Sequence, residues 1–378
     1  MDLTEIRLAI DQVNDTILRA FIERMKLSEA VATEKKKAGL PILNKARERE
    51  IIAKVLADSG TFAPYAHRLF TVLFELSRAY QAALAAPDSP FKAEIEAHMM
   101  PSDALLPDAG QIACQGVEGA YSQMAADKLF PRGSLNFFKS FDAVFDAVES
   151  GLCRYGVLPI ENSSNGSVRQ VYTLLKERNV SIIRSYRLCV SHALLVKPGV
   201  KLQDVHTVIS HEQALGQCSA FLKSLKGVTL RPVANTAMAA QEVASSADPG
   251  IACVSSASCA ELYGLEALDV RLQNSDNNYT RFVVISKTPE IYPGANRISL
   301  IVSLPHRPGS LYEVIAKFAA AEINIVKLES YPMVGHDFEF LFLFEIEASV
   351  KDDRVTGILA DLKASCPSFA FLGNYVEG

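Results

Sequence analysis

LTEIRLAIDQVNDTILRAFIERMKLSEAVATEK, residues 3–35, decides the first element of the fold. At heptad spacing it gives Leu3, Ile6, Ile10, Val13, Ile17, Ala20, Arg24, Leu27 and Val31. That pattern predicts one long helix with a single apolar stripe. Only Arg24 breaks the stripe; Arg7 and Lys35 flank it. A helix that buries this stripe also buries a guanidinium, or points it into a cavity. A desolvated cation without a partner is costly, so an anion should meet it. The partner is either an internal carboxylate, with Glu48, Glu50 and Glu75 as candidates, or an anionic ligand.

The neighbouring segments favour a ligand. Gly39 and Pro41 end the first helix. A second helix begins near Lys45, carries Arg47 and Glu48, and breaks at Gly60 and Pro64. A third spans about Tyr65 to Leu84, with Ser77 and Gln81 one turn apart on one face. Cations dominate this set, with neutral donors beside them, which suits a small dicarboxylate. Residues 1–90 resemble the all-helical chorismate mutase family. The resemblance rests on Arg7, Arg24, Lys35, Arg47, Glu48, Ser77 and Gln81, in order and separation; Asn44 stands where some members carry Asp. It implies that the arginines hold two carboxylates while Lys35 and Gln81 hydrogen-bond the ether oxygen whose bond breaks. Chorismate rearranges to prephenate without a nucleophile, so orientation and fixed charge suffice. Arg7 and Arg24 are 17 residues apart, about 25 Å along one helix at about 1.5 Å per residue. One substrate cannot bridge both on a single continuous helix, so a shared site between two copies is expected.

The remaining chain reads as two further domains. A seam at Ala85-Ala86-Pro87-Asp88-Ser89-Pro90 opens a polar stretch to Pro107, with a short helix expected at Phe91–His98. A second seam covers Thr288-Pro289 to Pro293-Gly294. Between them, Gln111–Cys114, Tyr155–Ile160, Val205–Ile209, Ile251–Val254 and Phe282–Ser286 alternate with helical runs, predicting α/β with largely parallel sheets. After the second seam comes a βαββαβ order: strand Ile298–Leu304, helix from Gly309, strands Ile323–Ser330 and Phe338–Glu347, helix Asp352–Ser365, strand Phe369–Leu372.

Three loops of the middle region present hydroxyls or amides where a helix begins: Gly116–Ser122, Pro159–Ser167 and Ser210–Gln213, with Gln217 a turn on. Any one is explained by N-capping. Three in one α/β domain point to an anion cleft at the strand ends. With Asn278-Tyr279-Thr280-Arg281-Phe282 they resemble prephenate dehydratase over residues 110–287. The resemblance implies two α/β lobes like a type II periplasmic binding protein, with the site between them. It makes Thr280 the group that positions the leaving hydroxide and relays a proton. Asn162, Ser210 and Gln217 would orient substrate, Arg281 would meet a carboxylate, and Ser122, Ser163, Gln213 and Phe282 would line the site. Glu161 is counted with them, or braces the lobes; His211 reads as structural.

Leu304-Pro305-His306-Arg307-Pro308-Gly309-Ser310-Leu311 and Glu329-Ser330-Tyr331-Pro332 resemble the ACT module, a ferredoxin-like α+β unit. It implies phenylalanine inhibition through His306, Pro308, Gly309, Ser310, Leu311, Glu329 and Ser330. Tyr331 replaces the usual Arg.

The expected organisation is a mutase domain at 1–90, a linker at 91–109, a dehydratase domain at 110–288 and an ACT domain at 296–378. The whole resembles bifunctional chorismate mutase–prephenate dehydratases, homo-oligomers needing no cofactor or metal. A mutase fused to a dehydrogenase would need a Gly-x-Gly-x-x-Gly fingerprint after a strand, and none is present. Arogenate dehydratase and an amino-acid sensor remain as alternatives. Of 378 residues, 49% are hydrophobic and 21% charged, with net charge −5, which argues against nucleic acid. The acidic start is no signal peptide, and no apolar run reaches membrane-spanning length. Seven cysteines without a Cys-x-x-Cys pair read as reduced core residues of a cytoplasmic protein.

Overall fold

The computed structural model describes residues 2–85, 90–164, 166–275, 277–332 and 340–378. Asn165 of the second loop, Ala86–Ser89 of the first seam and Phe338 of an expected strand lie outside these. The chain divides into two units, Met1–Met99 with Asn296–Phe371, and Met100–Ala295 with Leu372–Gly378.

Helix α1 (Leu3–Lys37) is continuous for 35 residues. Asp2 and Glu5 form a reciprocal capping box, and Lys35, Lys36 and Lys37 complement the dipole at its end. Gly39 takes φ 64° just beyond. Asn44 caps α2 (Lys45–Asp58), accepting from the Arg47 N–H at 3.1 Å. Helix α3 (Ala63–Ala85) packs on both α1 and α2. The stripe of α1 is not a core in the single chain: Leu3, Ile6, Ile10, Val13 and Ile17 are each more than 40% exposed. Helix α4 (Pro90–Glu96) buries Phe91 and Ile95.

The second unit runs through β1 (Ala109–Gln115), α5 (Tyr121–Leu129), β2 (Arg132–Phe138), α6 (Phe141–Glu149) and β3 (Tyr155–Asn162). Then come β4 (Gly166–Ser167), α7 (Arg169–Glu177), β5 (Ser181–Cys189), β6 (Ala193–Val196) and β7 (Thr207–Ser210). It continues with α8 (Glu212–Gln217), α9 (Ser219–Ser224), β8 (Thr229–Pro232), α10 (Thr236–Ser245), β9 (Ile251–Ser255), α11 (Ser258–Tyr263), β10 (Glu266–Leu268) and β11 (Tyr279–Ser286). Two lobes result, one on a sheet ordered β2-β1-β3-β11-β5, the other on β8-β7-β9-β6-β10. The sheets are mixed rather than largely parallel. The chain leaves the first lobe after β5 and re-enters along β11, which lies antiparallel between β3 and β5. Ile112, Tyr155, Val157, Ile183, Phe282 and Val284 fill the core of that lobe.

The first unit resumes with β12 (Arg297–Ser303), α12 (Ser310–Ala320), β13 (Asn324–Pro332), β14 (Phe340–Glu347), α13 (Asp353–Ser365) and the start of β15 (Ser368–Glu377), whose residues from Leu372 onward belong to the second unit. The sheet order β13-β14-β12-β15 is that of a ferredoxin-like module. Its helices α12 and α13 pack against α3. The last strand runs five residues past the expected end at Leu372, because Gly373 does not break it. At φ 147° this glycine lies so close to the backbone of β5 that a Cβ would sit 2.1 Å from the Ile182 carbonyl oxygen. Beyond it, Asn374 and Tyr375 are fully buried and Val376 pairs with Arg184. Among the described residues, no helix is long and apolar enough to cross a membrane.

Candidate active sites

In the first unit, three helices bring Arg24, Lys35, Glu48, Ser77 and Gln81 together. Arg24 Nη1 donates to the Leu73 carbonyl at 3.0 Å and to the Ser77 hydroxyl, and its guanidinium lies 5.6 Å from the Phe74 ring centroid. Lys35 Nζ donates to the Ile42 carbonyl. Burial lowers the pKa of both cations, and the Glu48 carboxylate opposes that shift in each. Glu48 itself forms an ion pair with Arg78. Ser77 and Gln81 are buried, and Gln81 Oε1 has no hydrogen-bond partner. The Gln81 amide oxygen is thus a buried acceptor left unsatisfied, one turn from Ser77 on α3.

The internal-ion-pair reading of Arg24 fails here. Glu50 pairs with Arg47 at 2.7 Å on the surface, and Glu75 accepts from the Tyr312 hydroxyl at 3.3 Å. Three expected members of the site stand apart in the single chain. Arg7 is exposed near the start of α1. Arg47 is held by Glu50, and Asn44 spends its side-chain oxygen on the helix cap. Arg78 is the member that sequence reasoning missed. It directly follows Ser77 in the chain, and that adjacency was its signal.

In the second unit the site is a chain of neutral groups. Asn162 Nδ2 donates to Thr280 Oγ1 at 3.0 Å, to Asn278 Oδ1 at 3.0 Å and to the Tyr279 carbonyl at 3.3 Å. Asn278 Nδ2 donates to Gln217 Oε1 at 3.0 Å, which also lies 2.9 Å from His192 Nε2. The far ring nitrogen of His192 is 3.0 Å from the Tyr121 hydroxyl, which donates to the Ser191 carbonyl at 2.7 Å. Burial lowers the His192 pKa, a Gln217 hydrogen bond partly opposing it, and burial raises that of Tyr121. A cavity of about 650 Å³ adjoins this chain, walled by Ser164, His211, Gln213, Gln217, Asn274 and Asn278 among others. Thr280 stands one link behind that wall, through Asn162. Asn278, His192 and Tyr121 went unassigned in the sequence, although Asn278 and Tyr121 lay within the quoted motifs.

Several expected contacts are corrected. Successive strand residues point to opposite faces, so Thr280 pairs with Asn162 while Arg281 pairs with Glu161. Arg281 is buried and ion-paired to Glu161 at 2.9 Å, which withholds both from a ligand. Phe282 lies in the core. Ser210 is fully buried and donates to the Val254 carbonyl. Ser163 accepts from the Tyr279 N–H at 3.0 Å and donates to the Asn277 carbonyl at 3.3 Å. Ser122 is buried in the first turn of α5, whereas Gln213 and Gln217 do reach the cavity. His211 caps α8 through Nδ1, 3.3 Å from the Gln213 N–H.

In the ferredoxin-like module, Gly309 caps α12 at φ 87°, a conformation that favours glycine. Ser310 is buried with its Oγ unsatisfied. Tyr331 donates to Glu329, so the residue that replaces the usual Arg holds that carboxylate. His306, Pro308 and Ser330 are exposed and Leu311 is half-buried.

Comparison with known proteins places both regions. Residues 6–82 match the chorismate mutase type II family and residues 112–290 the prephenate dehydratase family. The bifunctional chorismate mutase/prephenate dehydratase of Enterobacter agglomerans is 30% identical over 99% of this chain and 95% of its own. The arogenate dehydratase/prephenate dehydratase 2 of Arabidopsis thaliana is 38% identical over 70% of this chain and 72% of its own. Among solved structures, the L-Phe complex of the prephenate dehydratase of Arthrobacter aurescens is 25% identical, with TM-score 0.65, over 70% of this chain and 89% of that one. GqqA, a quorum-quenching acylase, gives 30% identity and TM-score 0.65 over 71% of this chain and 98% of that one. The chain belongs to the family of bifunctional chorismate mutase/prephenate dehydratases.

Proposed function

We propose that the two reactions of this bifunctional enzyme occur at the two clusters just described. The protein rearranges chorismate to prephenate and converts prephenate to phenylpyruvate, two steps of phenylalanine biosynthesis. Mutase chemistry belongs to Arg24, Lys35, Glu48, Ser77 and Gln81. The cations bind the two carboxylates, and Lys35 with the Gln81 amide stabilises charge growing on the ether oxygen. Arg24 and Lys35 now rest on neutral acceptors, which a carboxylate displaces readily.

Dehydratase chemistry belongs to the amide chain and Thr280. Prephenate loses carbon dioxide and its ring hydroxyl; electrons from the broken carboxylate bond complete the aromatic ring. Hydroxide is a poor leaving group, so a proton or hydrogen bond must reach it. One observation carries this reading: Asn162 donates to Thr280 Oγ1, which leaves the threonine proton free to point at substrate. His192 and Tyr121 anchor the far end of the amide chain that orients Thr280.

The domain reading is a mutase at 1–90, a linker at 91–109, a dehydratase at 110–288 and an ACT module at 296–378, where phenylalanine inhibits. The ferredoxin-like strand order, left-handed Gly309 and unsatisfied Ser310 support that module. The exposed stripe of α1 supports a homodimer whose mutase sites take Arg7 from the second copy. Seven free cysteines suit the reducing cytoplasm. Arogenate is a second reading for the middle domain, favoured by the 38% identical relative. An acylase would need a nucleophile beside a base, whereas the cavity's His211 is bonded to a backbone N–H. The test follows chorismate, prephenate and phenylpyruvate together, with and without phenylalanine, then offers arogenate. Phenylpyruvate formation that slows with phenylalanine supports the assignment; turnover of arogenate alone overturns the prephenate reading.

A further inference from the structure

Arg78, the ion-pair partner of Glu48, has no role in the chemistry above. Arg78 stands on α3 next to Ser77, and its Nη1 meets Glu48 Oε1 across from α2. Neither group is on the open surface: their side chains are 21% and 28% exposed. Glu48 also acts electrostatically on Arg24 and on Lys35. It is therefore the carboxylate best placed to capture either substrate-binding cation, yet neither is captured. Arg24 donates to Leu73 and Ser77, and Lys35 to Ile42, all neutral acceptors.

We propose that Arg78 is a positioning residue for the mutase, holding Glu48 away from Arg24 and Lys35 so that both stay available to a dicarboxylate. Charge balance agrees. Arg78 cancels Glu48, so the charges of Arg24 and Lys35 stay available to a substrate bearing two negative ones. Without Arg78, Glu48 has two partly desolvated cations within its field and no other fixed partner among the described residues. Attraction in a partly buried site is strong enough to draw them together. The collapsed site would still be folded, but a substrate carboxylate would have to displace Glu48 first. Such a loss is one of ground-state binding, so it appears chiefly in KM.

The inference rests on the mutase site proposed above, and its test keeps the two separable. Mutase kinetics are measured on the full-length protein for Arg78→Ala, Arg78→Lys, Glu48→Gln, Arg78→Ala with Glu48→Gln, and Arg24→Ala. Dehydratase turnover in the same molecules is the internal control. Arg78→Ala should raise KM for chorismate about tenfold, the factor for one charged contact worth roughly 1.4 kcal/mol, with kcat within about threefold. Arg78→Lys should keep most of the wild-type KM. In the Glu48→Gln background, where no charge is left to restrain, Arg78→Ala should shift KM by less than about threefold. An unchanged KM in Arg78→Ala overturns the proposal. So does an equal shift with and without Glu48→Gln, which would mean that Arg78 touches substrate itself. Parallel losses in both activities and in Tm would show a merely structural role. If Arg24→Ala keeps full mutase activity, the site assignment itself has failed.

Discussion

The two clusters solve different problems with different materials. The mutase cluster is ionic: Arg24, Lys35 and Arg78 surround one carboxylate, Glu48. The dehydratase cluster is neutral: Thr280, Asn162, Asn278, Gln217, His192 and Tyr121 exchange hydrogen bonds at 2.9–3.0 Å along one line. Among the described residues, no lysine or arginine lines its cavity, and Glu212 is the one carboxylate there. On the proposed assignment, the difference follows from the reactions. A pericyclic step moves no proton, so fixed charge can hold the substrate and favour the polarised transition state. Expelling a hydroxide needs a directed hydrogen, and a strong cation beside it would compete for the leaving oxygen. Neutral amides orient a hydroxyl without adding charge.

Thr280→Ala tests the neutral half most severely. Losing a positioned proton donor should cut dehydratase turnover by about a hundredfold or more. Mutase turnover of the same protein should stay normal. Arg24→Ala is the mirror case. A hydrogen bond from a charged group contributes about 1.5–3 kcal/mol, so mutase efficiency should fall at least about tenfold while the dehydratase persists. Both rates are read in one coupled assay from chorismate. Equal loss of both activities in either variant would break the comparison.

Salt gives a gentler test. Raising ionic strength from about 0.01 to 1 M shortens the screening length from about 30 to 3 Å. The KM for chorismate should rise several-fold, because its site is built of partly exposed ions. The KM for prephenate should rise less. Matching salt dependences would show that the dehydratase also relies on cations, contrary to the lining of its cavity.

What could be read from the chain follows the same division. Arg24 was legible because a charge in an apolar stripe has to be explained, and the explanation is local to three helices. Thr280 and Asn162 were legible through their motifs. The corrections arise where partners are distant in sequence. Nothing near Arg281 announces that Glu161 lies opposite on β3, 120 residues earlier; register alone decides that. His192 looks like an ordinary residue after β5 until Gln217 and Tyr121 are brought to its two ring nitrogens. The expected last strand stopped at Leu372, one residue before Gly373, yet the nearby Ile182 carbonyl makes a glycine necessary there within the strand. The ββα and βαβ runs were visible as local patterns, whereas the antiparallel insertion of β11 depends on where the chain returns.

The smallest effect concerns acid, and it comes from the one ionisable base in the neutral chain. His192 has an ordinary pKa of 6.5, which burial lowers. In the folded protein the ring resists a proton that the unfolded chain accepts readily. Between those two values the unfolded state holds more protons, so stability rises with pH there. The contribution is fully present above about 6.5 and is lost as pH falls through the lowered value. A charge on His192 would also disturb Gln217 and the amides beyond it. The ratio of dehydratase to mutase rate should therefore hold through 6.5 and decline only at lower pH, where the buried ring at last takes a proton, measured on one sample with both products followed. His192→Gln carries no titrating group, so its ratio should be flatter with pH even if its dehydratase rate is lower throughout. A His192→Gln ratio that falls with acid just as steeply as the wild-type ratio would remove His192 from this chain of hydrogen bonds. The contrast would then rest on Thr280 and the amides alone.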